Sequence, residues 1–279
     1  MINANVGVEG LKLESLAELL FILASADRLQ VLSCLREEKE YRLTDIAQKL
    51  DSSMQEASKH VTRLREQNFI KKDPSNGYYT LTTLGKLITR LLPSIEFLSE
   101  NKEYLLTHDI SSLPEEFIER IGELQEHQYN AKVGLVLSFT HQVIREADKF
   151  VWLMSDHSLI DVFDIGIDRN RRLTWRIILP TGSKIDWQGL RSIAKNVHAR
   201  IEIGFSQQII AGIALNEKVA GVLLPDLKGN LDFNSGFISS SISFRKWCQD
   251  LFGYVWNGSE KQYYRCYCII ILKIRVLRY

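Results

Sequence analysis

Cysteine is scarce: four residues in 279, Cys34, Cys248, Cys266 and Cys268. So few, so scattered, exclude a disulfide framework, and the Cys266-x-Cys268 spacing with no second pair does not suit a zinc site. No apolar run approaches the roughly 18 residues that a membrane span needs. The N-terminus lacks the charged-then-apolar layout of a secretory signal. The expected compartment is therefore cytoplasmic, with no membrane partner. A large net charge is missing too, since the formal value is only +1. That excludes a uniformly basic coat for nucleic acid, so any polyanion binding must come from local clustering.

The clustering is present. From Ser52 to Leu92 seven basic residues stand against three acids, while from Glu96 to Glu126 nine acids stand against two bases. One stretch attracts phosphate and its neighbour repels it. With 45% apolar and 25% charged residues the chain reads as globular and is long enough for two domains.

Apolar residues at three- and four-residue spacing predict two helices between Leu13 and Arg36, the second capped by Asp27. Cys34 falls in this pattern as a buried, inert thiol. A short extended piece is expected at Tyr41 to Leu43, then a compact helix capped by Thr44. The next helix, about Ser53 to Gln67, places Met54, Ala57, Val61 and Leu64 on one stripe at about 100° per residue. That stripe is the core side. Its opposite side carries Gln55, Lys59, Thr62, Arg63 and Glu66, with Ser58 and Arg65 on the flanks, side chains that suit phosphate oxygens and base edges. Two strand-like runs, "FIKK" and "YYTLT", follow around the turn "DPSNG".

A helix, a turn, a polar-faced helix and a hairpin make a winged helix-turn-helix. Any one of these elements occurs on surfaces that bind nothing. Four in this order, with the basic charge confined to the last two, point to double-stranded DNA. The segments "LASADRLQVLSCLREEKEYRLTDIAQKL", "SKHVTRLREQNFI" and "GYYTLTTLG" also resemble the winged-helix domains of ArsR- and MarR-type transcription regulators, over residues 14 to 92. That resemblance implies that Ser52, Gln55, Ser58, Lys59, Thr62 and Arg63 face DNA, with Lys71, Lys72 and Asn76 in or beside the wing. Glu56 breaks the pattern, because beside this surface it would repel phosphate.

A long helix follows the hairpin, with Pro93 expected to kink or break it. Its stripe of Leu84, Leu87, Ile88, Leu91, Ile95 and Leu98 is too long for a small winged domain to cover alone. A second copy of the chain or the second domain would cover it, and regulators with paired half-sites are two-fold, so a homodimer is expected. "SSLPEEFIERIGEL" opens a further helix, with Pro114 in its first turn.

From Val133 onward helices and strands alternate: a helix to Ala147, strands in "KFVWLMS", "RLTWRIILP" and "ARIEIGFS", a helix in "WQGLRSIAKN", a hairpin turning at Asn216-Glu217, and a closing helix "SISFRKWCQDLFGYVW". This predicts an α/β layer with a mixed sheet. "LPEEFIERIGEL", "EADKFVWLMSD", "NEKVAGVLLP" and "FRKWCQDLFGYVW" resemble the effector domain of an archaeal regulator family that controls methanogenesis and filament formation. They are more distantly similar to the phospholipase-D-like sensor domains of TrmB-type regulators. A phosphodiesterase or hydrolase carried by this half is the alternative function. Its chemistry needs a histidine with a lysine two residues on. His157 is followed by Ser158 and Leu159, His198 by Ala199 and Arg200, and "PTGSK" lacks phosphate-loop spacing, so no enzyme is expected. Strand ends are where an α/β sheet holds small ligands, which nominates Ser155, Asp156, His157 and Thr181, with Gly182 beside them. Arg171, Arg172, Trp175 and Arg176 would suit an anionic or aromatic effector, although such residues more often serve as a solvated face and core.

The expected class is thus α+β: a winged helix-turn-helix at residues 1–92, linker and dimerisation helices at 93–130, an α/β effector domain at 131–257, and a tail at 258–279. Neither cofactor nor metal is expected. The tail is apolar and carries five basic residues after Glu260. An edge strand, a membrane contact or an aberrant extension each suits it, and the last is the expectation. A winged helix serving protein contacts rather than DNA remains a third function.

Overall fold

The computed structural model describes residues 4–131, 135–156, 173–185 and 200–264. The chain divides into two compact units, Met1–Pro93 and Ser94–Tyr279.

In the first unit, helices α1 (Ala4–Leu23), α2 (Ala26–Cys34), α3 (Leu43–Lys49) and α4 (Met54–Glu66) precede the hairpin β1 (Ile70–Lys72) and β2 (Tyr79–Leu81). Helix α5 (Thr83–Glu100) follows, and the division between the units falls within it. Val31, Leu32, Ile46, Ala57, Val61, Leu64, Phe69 and Ile70 meet in one core, so the periodicity of α4 is realised. Met54 is a correction: expected in that core, it is 46% exposed at the first position of the helix. At the first position of a helix, a residue on the stripe has no preceding turn to pack beneath it.

The caps differ from expectation as well. Ser25, not Asp27, precedes α2, and Asp27 lies in its first turn, 3.3 Å from His60. Arg42, not Thr44, precedes α3, and the Asp45 carboxylate accepts the Arg42 backbone N–H at 3.0 Å. The carboxylate three residues in satisfies a main-chain donor that no threonine is placed to reach. At Gly85 a Cβ would sit 2.0 Å from the Phe69 carbonyl oxygen, so only glycine lets the start of α5 meet the hairpin. Pro93 neither breaks nor ends α5, which stays helical through Glu100.

The second unit adds α6 (Lys102–Leu105), α7 (Glu115–Glu119), a 3₁₀ turn (Ile121–Leu124), β3 (Gln128–Ala131), α8 (Leu135–Glu146), β4 (Phe150–Met154), β5 (Thr174–Pro180), β6 (Arg200–Ser206), β7 (Gly212–Leu215), β8 (Ala220–Leu223), β9 (Ser235–Ser239), α9 (Ile242–Gly258) and β10 (Glu260–Tyr264). Pro114 is the cap of α7 rather than a residue of its first turn. The sheet order is β10-β6-β5-β4-β7-β8-β9-β3. Its β4–β5 and β5–β6 pairs are parallel and the others antiparallel, so the sheet is mixed. Along β4, Val151 and Leu153 join Phe139 and Val143 of α8 on one face, while Met154 joins Phe244, Trp247 and Leu251 of α9 on the other. Burial on both faces is why the strand reads as a continuous apolar run.

The expected hairpin turn is held from outside itself. The Asn216 amide donates to the Val143 carbonyl at 2.8 Å while its oxygen accepts from Lys218 and Val219 N–H, and the Glu217 carboxylate accepts from Asp148 N–H at 2.7 Å. The segment expected as a linker is packed core. Tyr104, Leu113, Phe117, Ile121 and Leu124 are buried, and the Trp247 indole donates to the Phe117 carbonyl at 3.1 Å. The first residues of the tail pair with β6 as edge strand β10, so of the three readings the edge strand holds over Glu260–Tyr264. The expected helix around "WQGLRSIAKN" and the residues His157, Arg171, Arg172 and His198 lie outside the described residues. No helix among the described residues is long and apolar enough to cross a membrane.

Candidate nucleic-acid interface

Helix α4 opens on a reciprocal cap. Ser53 Oγ accepts the Glu56 N–H at 3.2 Å, and the Glu56 carboxylate accepts the Ser53 N–H at 3.1 Å and its hydroxyl at 2.7 Å. Hydrogen bonds from the Ser53 hydroxyl and N–H hold the Glu56 carboxyl below its usual range. The acid that broke the sequence pattern is therefore tied down at the helix start. Asp45 does the same for α3, so both helices of the pair begin with an anchored acid.

Beyond this cap the outer side of α4 is cationic. Gln55, Lys59 and Arg63 are exposed, Ser58 and Thr62 half-buried, and Arg65 is exposed on the flank. Lys59, Arg63 and Arg65 hold no hydrogen bond or ion pair among the described residues. Ser52 departs from the expectation, because its hydroxyl is enclosed by protein without a hydrogen-bond partner among the described residues. It sits in the turn before the cap, beneath the surface the helix presents.

The wing is built by its turn. Asp73 Oδ1 accepts the Ser75 N–H at 2.8 Å, Asn76 Oδ1 accepts the Tyr78 N–H at 3.0 Å, and Gly77 takes the left-handed conformation at φ 78°. Register Ile70↔Leu81 and Lys72↔Tyr79 turns Ile70 and Tyr79 inward and leaves Lys71 and Lys72 exposed, with Asn76 at the exposed tip. Tyr41 joins Tyr79 through an isolated antiparallel bridge beside the two-stranded hairpin. Three cations lie over tyrosine rings here: Arg42 over Tyr78 at 5.0 Å, Lys49 over Tyr41 at 4.7 Å and Lys72 over Tyr79 at 5.6 Å. Sequence reading missed Arg42 and Lys49. Their aromatic partners are 36 and 8 positions away, the first brought near by the bridge between Tyr41 and the hairpin and the second by the turns of α3.

Of the residues nominated for an effector, Ser155, Asp156 and Thr181 fall at the adjoining ends of the parallel strands β4 and β5, His157 lies outside the described residues, and Arg176 stands apart. Ser155 is buried, Asp156 accepts the Leu231 N–H at 3.4 Å, and Thr181 is exposed beyond β5 with its N–H on the Ser206 carbonyl at 2.8 Å. Arg176 lies five residues before Thr181, about 16 Å away at roughly 3.3 Å per residue. It is committed there, with Nε 2.9 Å from the buried Glu202 carboxylate and its guanidinium 5.1 Å from Trp152 and 5.2 Å from Trp256. Trp175 points to the opposite face and is buried. The cavity beside Ser155, lined also by Thr140, Leu153, Gly221 and Gly236, holds about 40 Å³. That is room for a water and far below the roughly 300 Å³ at which small-molecule pockets begin.

No family model and no curated protein matches the chain. Among solved structures it is similar to the archaeal chromatin protein TrmBL2, with 14% identity over 85% of this chain and 94% of that one, at a TM-score of 0.36. Its likeness to reduced HlyU from Vibrio cholerae covers 31% of this chain and 95% of that one, with 28% identity and a TM-score of 0.27. An O-methyltransferase family protein from Burkholderia thailandensis is similar at 12% identity over 70% of this chain and 63% of that one, with a TM-score of 0.29. All three scores lie below 0.5. The functional reading therefore rests on the side chains.

Proposed function

We propose that this chain is a DNA-binding transcription regulator that works as a homodimer. The observation that carries the reading is the outer side of α4, where Lys59, Arg63 and Arg65 are exposed and without ion pairs among the described residues, while Glu56 is locked in the cap. Cations left without internal partners are available to phosphate, and a helix of this width fits the major groove. The wing adds Lys71, Lys72 and Asn76 beside it.

The two-fold assembly is supported by apolar side chains that the first unit leaves in solvent. Leu84, Leu87 and Leu91 of α5 are 41%, 53% and 60% exposed, and Leu13, Leu16 and Leu20 of α1 repeat the same three- and four-residue spacing. A second copy would cover such stripes and set two recognition helices one DNA turn apart. The second unit is read as the regulatory part. A ligand or partner acting there must bind the DNA-competent and incompetent arrangements with different strength.

The test is selection of duplexes from a random library by the full chain, followed by fluorescence anisotropy on the recovered sequence over a salt series. The expected result is retained specific duplexes with affinity falling steeply as salt rises. Failure to retain any duplex, or binding indifferent to salt, overturns the reading.

A further inference from the structure

Within the DNA-binding reading, on which this step rests, we infer that Arg42 is a phosphate contact that joins the start of α3 to the wing. Arg42 was not among the residues nominated from the sequence. Its main chain is extended, at φ −77° and ψ 163°, and its N–H is taken by Asp45. The preceding residue, Tyr41, exchanges backbone hydrogen bonds with Tyr79 at 3.3 and 2.8 Å, so the approach to α3 is stitched to the hairpin. This places the Arg42 guanidinium over the Tyr78 ring at 5.0 Å. Tyr78 is itself fixed by the turn, its N–H on Asn76 Oδ1 at 3.0 Å and its carbonyl accepting from Asp73 N–H at 2.8 Å.

A cation–π contact through the guanidinium carbon uses none of its N–H donors. Among the described residues none of those donors has a hydrogen bond or ion pair. The neighbouring acid, Asp45, is occupied, with Oδ2 on the Arg42 N–H at 3.0 Å and Oδ1 facing Thr44 Oγ at 3.4 Å. An arginine held on a platform, exposed and with its fork unspent, is suited to two parallel bonds to one phosphate. Lys59 and Arg63 have no aromatic ring beneath them among the described residues, so Arg42 gives up less side-chain freedom on binding. The backbone of the duplex would thus be held between recognition helix and wing.

The experiment uses the full chain and the duplex selected above, with Arg42→Ala, Arg42→Lys, Tyr78→Leu and Lys59→Ala compared over a salt series. Arg42→Ala is expected to weaken binding about tenfold, as loss of one charge-assisted contact does, and to lower the salt slope by about one. Arg42→Lys should keep the slope but lose affinity, because an ammonium cannot make the paired bonds. Tyr78→Leu should also keep the slope and weaken binding by about threefold through lost ordering. Wild-type affinity and slope in Arg42→Ala, with Lys59→Ala still impaired, would overturn the inference and leave the DNA reading standing. No salt-dependent duplex binding by the unaltered chain would remove both. Should Tyr78→Leu not fold, the two Arg42 variants decide alone, since that side chain is exposed.

Discussion

The candidate interface of the first unit and the packed second unit use cations for opposite purposes, although Lys39 and Lys86 of the first unit do pair, with Glu37 and Glu38. In the first, Arg42, Lys59, Arg63, Arg65, Lys71 and Lys72 have no ion pair among the described residues. In the second, Arg120, Arg176, Arg200, Lys218 and Lys246 each stand 2.5–2.9 Å from a carboxylate oxygen. Arg120 ties the turn after α7 to α9 through Asp250, and Arg176 and Arg200 neutralise the buried Glu202. A net charge of +1 conceals this division. Charge that is already spent inside a fold does not attract a polyanion, so the pairing of each cation matters more than the count.

Breaking the comparison at its strongest point means reversing the free cations. Lys59→Glu combined with Arg63→Glu should lower duplex affinity by at least about a hundredfold near 0.1 M salt, with the melting temperature unchanged, as anisotropy and calorimetry would show. The matching change in the second unit has the converse signature. Glu202→Gln leaves Arg176 and Arg200 without their counter-charge and should cost about 2–3 kcal/mol, below the range for fully buried pairs because both arginines are partly solvated, while duplex binding at 25 °C persists. Equal stability in urea titrations would show that these arginines are not structural. Ser53→Ala removes the α4 cap and should cost about 1 kcal/mol, read as an earlier loss of helical signal on heating.

The smallest effect is one of pH. The folded Glu56 carboxyl lies below its unfolded value, so its contribution is fully present above the ordinary carboxylate range near about 4.3 and is lost as pH falls through the depressed folded value. Glu56→Gln should flatten that acid-side loss in stability measured from pH 6 downward, and an unaltered profile would mean the cap does not persist in solution.

How much was readable depended on whether the relevant partners were near in the chain. The winged helix was legible because Ala57, Val61 and Leu64 share one face of one helix, and "DPSNG" declares its turn by local chemistry. Strand β9, "SGFIS", and strand β3, "QYNA", were missed. They are short, glycine- and serine-bearing or polar, and become strands only because β8 and β9 offer them a ladder. Met54 was misplaced because helical periodicity says nothing about how the chain enters a helix, while Ser52, nominated by resemblance alone, has its hydroxyl enclosed by protein. Arg176 looked like a ligand residue because its acid partner, Glu202, lies 26 positions on and only the parallel β5–β6 register sets them side by side.

Sequence alone determined the order of elements in the first unit, the polar side of α4 and the alternation of strands and helices beyond it, because periodicity, caps and turn residues act within a few positions. The tertiary structure alone decided which charges remain unspent: pairing a cation with a carboxylate, or stacking it on a tyrosine, depends on distances set when strands and helices from remote parts of the chain come together.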